Sequence, residues 1–163
     1  MKLKYISWLP AVCIMVTIFI FSSKPAVTSD ESSMTIANGI LNVYENITDT
    51  QLKEDVRNER LGVIDHIVRK SAHFTEYLLL AAALGFHFLI RRKKGWKLFV
   101  LSSGIAALYA ATDEFHQLFI TGRSAQVKDV LLDTTGAVTG MLIFFLVINI
   151  TEGRRNKRKA DIA

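Results

Sequence analysis

Four apolar runs, residues 5–21, 72–90, 98–112 and 130–150, constrain this chain more than any other feature. A helix needs about 20 residues to cross a hydrocarbon core of about 30 Å, because each residue advances it by only about 1.5 Å. The second and fourth runs meet that length and the first nearly does. The third meets it only if its polar ending, Asp113-Glu114-Phe115-His116-Gln117 (DEFHQ), belongs to the same helix, giving a span of about 97–119. Half of all residues are hydrophobic, which fits a membrane protein better than a soluble globule. The expected fold is therefore all-α, a polytopic membrane protein built as one four-transmembrane-helix bundle over residues 1–163. A lone cysteine, Cys13, excludes an intrachain disulfide framework and a cysteine-rich zinc site.

The first run follows Lys2 and Lys4 and so resembles a signal peptide. Its apolar core is long for one and no A-x-A-like site follows, so it reads as an uncleaved anchor. Basic residues then orient the bundle. The amino end, the turn RRKKGWK (91–97) and the carboxyl tail hold 12 Lys/Arg against two acids, Glu152 and Asp161. The opposite side holds 8 basic and 13 acidic residues. The positive-inside rule places both termini and the 91–97 turn in the cytoplasm of a multi-pass cell-membrane protein. The tail GRRNKRK is then an orientation signal near anionic lipid, and no nucleic-acid partner is expected.

Residues 22–71 form the expected extracytoplasmic segment. Ile36, Ile40, Tyr44 and Ile47 recur at helical spacing, as do Leu52 with Val56, then Leu61, Ile64 and Val68. The pattern predicts two or three short amphipathic helices at the outer interface, capping the bundle. Ser32 or Ser33 and Thr48 or Asp49 are the expected N-caps. His87 and Cys13 read as interior residues, Trp8 and Trp96 as interfacial anchors.

An isolated charge at bilayer depth costs roughly 2.5–3.5 kcal/mol on insertion scales, so the charges at the span ends need partners. Counted from the opposite helix ends at 1.5 Å per residue, Glu76, Asp113 and Asp133 lie at about 21, 23 and 26 Å. Three helices thus place ionisable groups in one layer. Lys70, His73, Glu76 and Tyr77 share one helical face, Asp113 and Gln117 another, Asp129 and Asp133 a third. Gly136-x-x-x-Gly140 continues the third face as a surface for close helix approach. Arg123, in the loop at 121–128, is placed to answer the excess of carboxylates.

KSAHFTEYLLLAAAL followed by DEFHQLFITGRSAQVKDVLLDTTGAVTG strongly resembles the VanZ-like family of bacterial membrane proteins. The family pattern runs K-x-x-H-F-x-E-Y, D-E-x-x-Q-x-F-x-x-x-R, then D-x-x-x-N/D-T-x-G-x-x-x-G. Lys70, His73, Glu76, Tyr77, Asp113, Glu114, Gln117, Arg123, Asp129 and Gly136 match it, and Asp133 stands where asparagine is more usual. The resemblance implies a cell-envelope role, since the family is named for a protein associated with teicoplanin resistance. It supplies no established catalytic residue.

Chemically, His73, Glu76, Asp113 and Glu114 are general acid–base candidates. Lys70, Tyr77, Gln117, Arg123, Asp129 and Asp133 are candidate ligand-binding residues, the two cations for a phosphate or carboxylate. The expected ligand is membrane lipid, a lipid-linked cell-wall precursor or a lipoglycopeptide. No cofactor is expected. A divalent ion on mixed N/O ligands is the minor alternative, although no HExxH-type signature occurs. Two further readings stand beside an enzyme: a non-enzymatic lipid-binding or transport protein, which with four helices calls for a homo-oligomer, and a purely structural polar clasp.

Overall fold

The computed structural model describes residues 3–160, with side-chain surroundings described for 4–154. Lys2 and the basic tail from Arg155 onward, used above for orientation, lie outside the described side chains. Six helices follow one another: α1 (Leu3–Ile6), α2 (Leu9–Ser22), α3 (Ala26–Thr48), α4 (Glu54–Ile90), α5 (Gly95–Gln117) and α6 (Val127–Ala160). Four stretches are long and apolar enough to cross a membrane: Lys4–Ser22, Glu54–Ile90, Gly95–Gln117 and Val127–Arg154. The DEFHQ stretch forms the last turn of α5, so the third span reaches full length by carrying its acids inside the helix.

The packing centre is the α4–α6 contact. A Cβ on Gly136 would fall on the Phe74 carbonyl oxygen, and one on Gly140 on the Leu78 carbonyl oxygen. With no side chain at either glycine, the backbones touch directly. That permits the dispersion-driven association helices rely on in lipid, where no hydrophobic force separates tail from side chain. Tyr77, Leu80, Ala81, Leu84, Leu98, Ala106, Ala110, Ala137 and Met141 complete one apolar core with Ala11 and Ile18 of α2. Apolar residues on the outside, among them Phe19, Leu79, Leu108 and Leu146, face the surroundings as lipid-facing positions should.

Four features depart from the sequence expectation. The outer segment is not a set of short helices. It is α3, of 23 residues, and the first half of α4, which runs unbroken for 37 residues into the span. At 1.5 Å per residue α4 is about 55 Å long, so about 25 Å extends beyond a 30 Å hydrocarbon core. The apolar run begins only at residue 72, yet nothing between 54 and 71 breaks the helix. The cap expectation fails for the same reason. α3 starts after Pro25, and the Ser32 and Ser33 hydroxyls donate back to the Thr28 and Ser29 carbonyls inside it. Asp49, in the left-handed region at φ 48°, ends α3 rather than starting a helix, a conformation Asp tolerates better than most residues.

The phase of α3 also differs. Ala37 and Leu41, flanked by Met34, pack on Leu61, Ile64 and Leu52 as a second small core, while Ile36, Ile40, Tyr44 and Ile47 stay exposed. Both faces of α3 are apolar, and periodicity alone does not tell which one meets α4. Ser33 donates to the buried Asp65 carboxylate, which Arg69 also holds at 2.9 Å while reaching Asp30. This network locks α3 onto α4. Cys13 is exposed on α2 rather than interior. His87, half-buried, meets Ser7 Oγ at 3.0 Å, and Trp8 and Trp96 are exposed at helix starts.

Candidate functional site

At the hairpin end of the spans, α4, α5 and α6 bring together the polar residues that the sequence placed in one layer. Tyr77, Asp113, Glu114, Gln117 and Asp133 are buried; Lys70, His73, Glu76, Arg123 and Asp129 are half-buried. Close packing at Gly136 presses α6 against Phe74, one residue from His73 and three from Tyr77. The α4 polar face is thereby held against α6 at backbone distance.

Partners divide the residues into two groups. Lys70 pairs with Asp129 across α4 and α6. Glu114 accepts a bond from the Gln126 backbone N–H at 2.6 Å, which ties the end of α5 to the loop before α6. Gln117 donates to Asp113 Oδ2 at 3.3 Å. The Arg123 guanidinium donates to the Lys24 carbonyl at 3.1 Å, the Phe21 carbonyl at 3.4 Å and Ser29 Oγ, and reaches Gln117 Oε1 at 3.5 Å. Most of its donors therefore serve the α2–α3 turn. These are connecting roles.

The second group has lone pairs or protons to spare. Tyr77 Oη, Asp113 Oδ1 and Asp133 Oδ1 are buried and have no hydrogen-bond partner among the described residues. Tyr77 lies within electrostatic reach of Asp113, Asp133 and Glu76, and Asp133 within reach of Asp113, Asp129 and Glu114. Glu76 faces Asp113 and Arg123 in the same way. His73 Nδ1 stands 3.8 Å from Glu76 Oε2, beyond hydrogen-bond distance. An unpaired buried polar group costs about 1–3 kcal/mol, and more when charged. Three such groups from three helices at one place suit a guest: water, a shared proton or a polar part of a ligand.

A recess of about 10 Å³, lined by Lys70, His73, Glu114, Gln117, Asp129, Leu132 and Asp133, opens at this point. That is the room of roughly one water. The larger recess, about 440 Å³, lies elsewhere on the α3–α4 hairpin and is mainly apolar. Among the described residues no group of three or more His, Cys, Asp and Glu side chains is arranged to hold a metal ion.

Sequence reasoning missed Tyr109. Its ring centroid lies 6.4 Å from that of Tyr77, and its hydroxyl donates to the Met15 carbonyl at 2.7 Å, fastening α2 to α5 beneath the site. The signal was available, since Tyr109 stands one turn before Asp113 on the same face. The contribution of the Gln126 backbone N–H had no signal in side-chain chemistry at all.

These observations define a helical multi-pass membrane protein with a buried polar centre shared by three of its four spans. The family model described as VanZ/LLP1 matches residues 7–148, which include every residue of that centre. The chain belongs to this family. No curated protein and no solved structure matches it.

Proposed function

We propose that the polar centre faces the outside of a bacterial cell and binds or acts on the polar head of an envelope lipid, either a lipid-linked cell-wall precursor or a lipid-tailed glycopeptide. One observation carries this reading: among the described residues Tyr77 Oη, Asp113 Oδ1 and Asp133 Oδ1 are buried without partners, and Asp133 also lines a polar recess. Intramembrane ionisable groups are costly, and retained ones serve function by default. The basic excess at the termini and the 91–97 turn supports cytoplasmic ends and hence an outward site. A recess of about 10 Å³ admits a water or a hydroxyl, not a sugar. A head group would therefore rest at the mouth, where Lys70 and Asp129 meet, and send one polar group inward. His73, Glu76, Asp113 and Glu114 are the general acid–base set for a proton transfer at that group. A contribution to teicoplanin resistance is the physiological expression of this activity.

The polar clasp is the second reading, and the Lys70–Asp129 pair and the backbone contacts of Arg123 favour it. Both readings meet in one experiment. Wild-type protein and Asp113→Ala are purified from the same membranes, incubated with extracted envelope lipids, and examined by native mass spectrometry and lipid chromatography, with abundance measured alongside. Retained or altered lipid in the wild type, lost in Asp113→Ala at unchanged abundance, supports a site. Loss of lipid and abundance together makes the centre a clasp.

A further inference from the structure

Among the described residues nothing covers one stripe of α3. Ile36, Ile40, Val43 and Ile47 are 54%, 48%, 56% and 79% exposed. Their spacing of four, three and four residues is the 3.5-residue period of a coiled-coil seam. The seam lies roughly 130° around the helix from Leu41, which faces α4, at 100° per residue. Counted at about 1.5 Å per residue from Ile90, a hydrocarbon core of about 30 Å ends near Ser71, below most of this stripe. α3 runs beside the part of α4 that extends about 25 Å past the hydrocarbon core, and α4 has no break at which to fold back. An apolar stripe held clear of the bilayer marks a protein contact.

The flanks of the seam indicate which protein. The exposed positions beside it are Gly39, Tyr44 and Asn46, so α3 itself brings no like charge to an identical stripe. Gly39 has open space where a Cβ would stand, which lets a neighbouring helix approach closely. Every copy inserted the same way carries its hairpin on the same face of the membrane, at the same height and pointing the same way. A two-fold axis along the membrane normal then brings the same stripe of two copies together, parallel and in register. Four seam positions are fewer than the three or four heptads of a free coiled coil. The membrane anchors supply the missing strength as effective concentration.

We propose that α3 is a self-association helix, its Ile36/Ile40/Val43/Ile47 seam packing against the same seam of a second copy outside the bilayer. The proposal does not rest on the activity of the polar centre. It is tested with the full chain in native membranes, in a Cys13→Ser background. Val43→Cys on the seam is compared with Glu31→Cys on the polar side of the same helix under mild oxidation. Val43→Cys is expected to give about tenfold more disulfide-linked dimer than Glu31→Cys, and adding Ile40→Asp and Ile47→Asp is expected to remove that excess at unchanged abundance. Equal crosslinking from both faces, no dimer from Val43→Cys, or a dimer indifferent to the added aspartates overturns the proposal.

Discussion

Gly140→Ala adds one methyl group where the structure has no room for it. The new Cβ would fall on the Leu78 carbonyl oxygen and stand 2.9 Å from the Leu78 Cα, and because these are backbone atoms α6 must move away from α4. Overpacking of this kind costs typically about 1–3 kcal/mol, and with rigid atoms on both sides the upper end applies. Alanine returns about 1 kcal/mol through helix propensity. The net expectation is about 2 kcal/mol of destabilisation, a fall in Tm of roughly 4–8 °C for a chain of this size. Gly85→Ala meets the Met141 sulfur at 3.0 Å and the Phe144 ring at 3.1 Å, side chains that can shift, so its cost is about 1 kcal/mol or less. Gly104→Ala meets nothing within 4 Å and should be neutral or slightly stabilising. Thermal unfolding of the three variants in one detergent, followed by size-exclusion fluorescence, gives the order directly. If Gly140→Ala and Gly104→Ala melt together, the close α4–α6 approach argued above is wrong.

Asp65→Ala takes the carboxylate acceptor from the Ser33 hydroxyl, which then has only backbone carbonyls of its own helix, and removes one of the two carboxylates on Arg69. The hairpin should lose about 2–3 kcal/mol, seen as faster proteolysis between α3 and α4 while the spans stay protected. Arg123→Lys cannot reproduce a guanidinium that reaches two carbonyls, a hydroxyl and an amide, so limited proteolysis at residues 118–126 should increase. His87→Ala should leave envelope activity unchanged and cost at most about 1.5 kcal/mol for the Ser7 contact, since His87 lies about three turns from the nearest residue of the polar centre; lost activity at full abundance refutes this. For topology, a cysteine at exposed Ser32 should label from outside the cell and one at exposed Lys94 only after permeabilisation. The reverse pattern inverts the orientation and puts the polar centre inside.

The number of spans and the depth of the polar layer were legible because both depend on one-dimensional quantities. Run length decides whether a helix crosses the bilayer. A rise of 1.5 Å per residue converts sequence position into depth, which put Glu76, Asp113 and Asp133 at one level before any contact was known. Helical phase likewise put Lys70, His73 and Tyr77 on one face and Asp113 with Gln117 on another. Even the glycines at 136 and 140 announced a close contact, though not that Phe74 and Leu78 would be the other side of it.

What tertiary structure decided is how each group spends its hydrogen bonds and which of two similar faces is buried. Arg123 looked free to meet an anion, yet the α2–α3 turn arrives beside it and takes most of its donors. Asp113 and Asp133 looked like two acids among eight ionisable groups, and only packing shows that each keeps an unpartnered oxygen while Asp129 is matched by Lys70. On α3 the sequence pointed to Ile36, Ile40, Tyr44 and Ile47, yet it is Ala37 and Leu41 that meet α4, on the side where Ser33 reaches Asp65. Periodicity names the faces of a helix. Which face is buried depends on a neighbour distant in sequence, and the period carries no information about that neighbour.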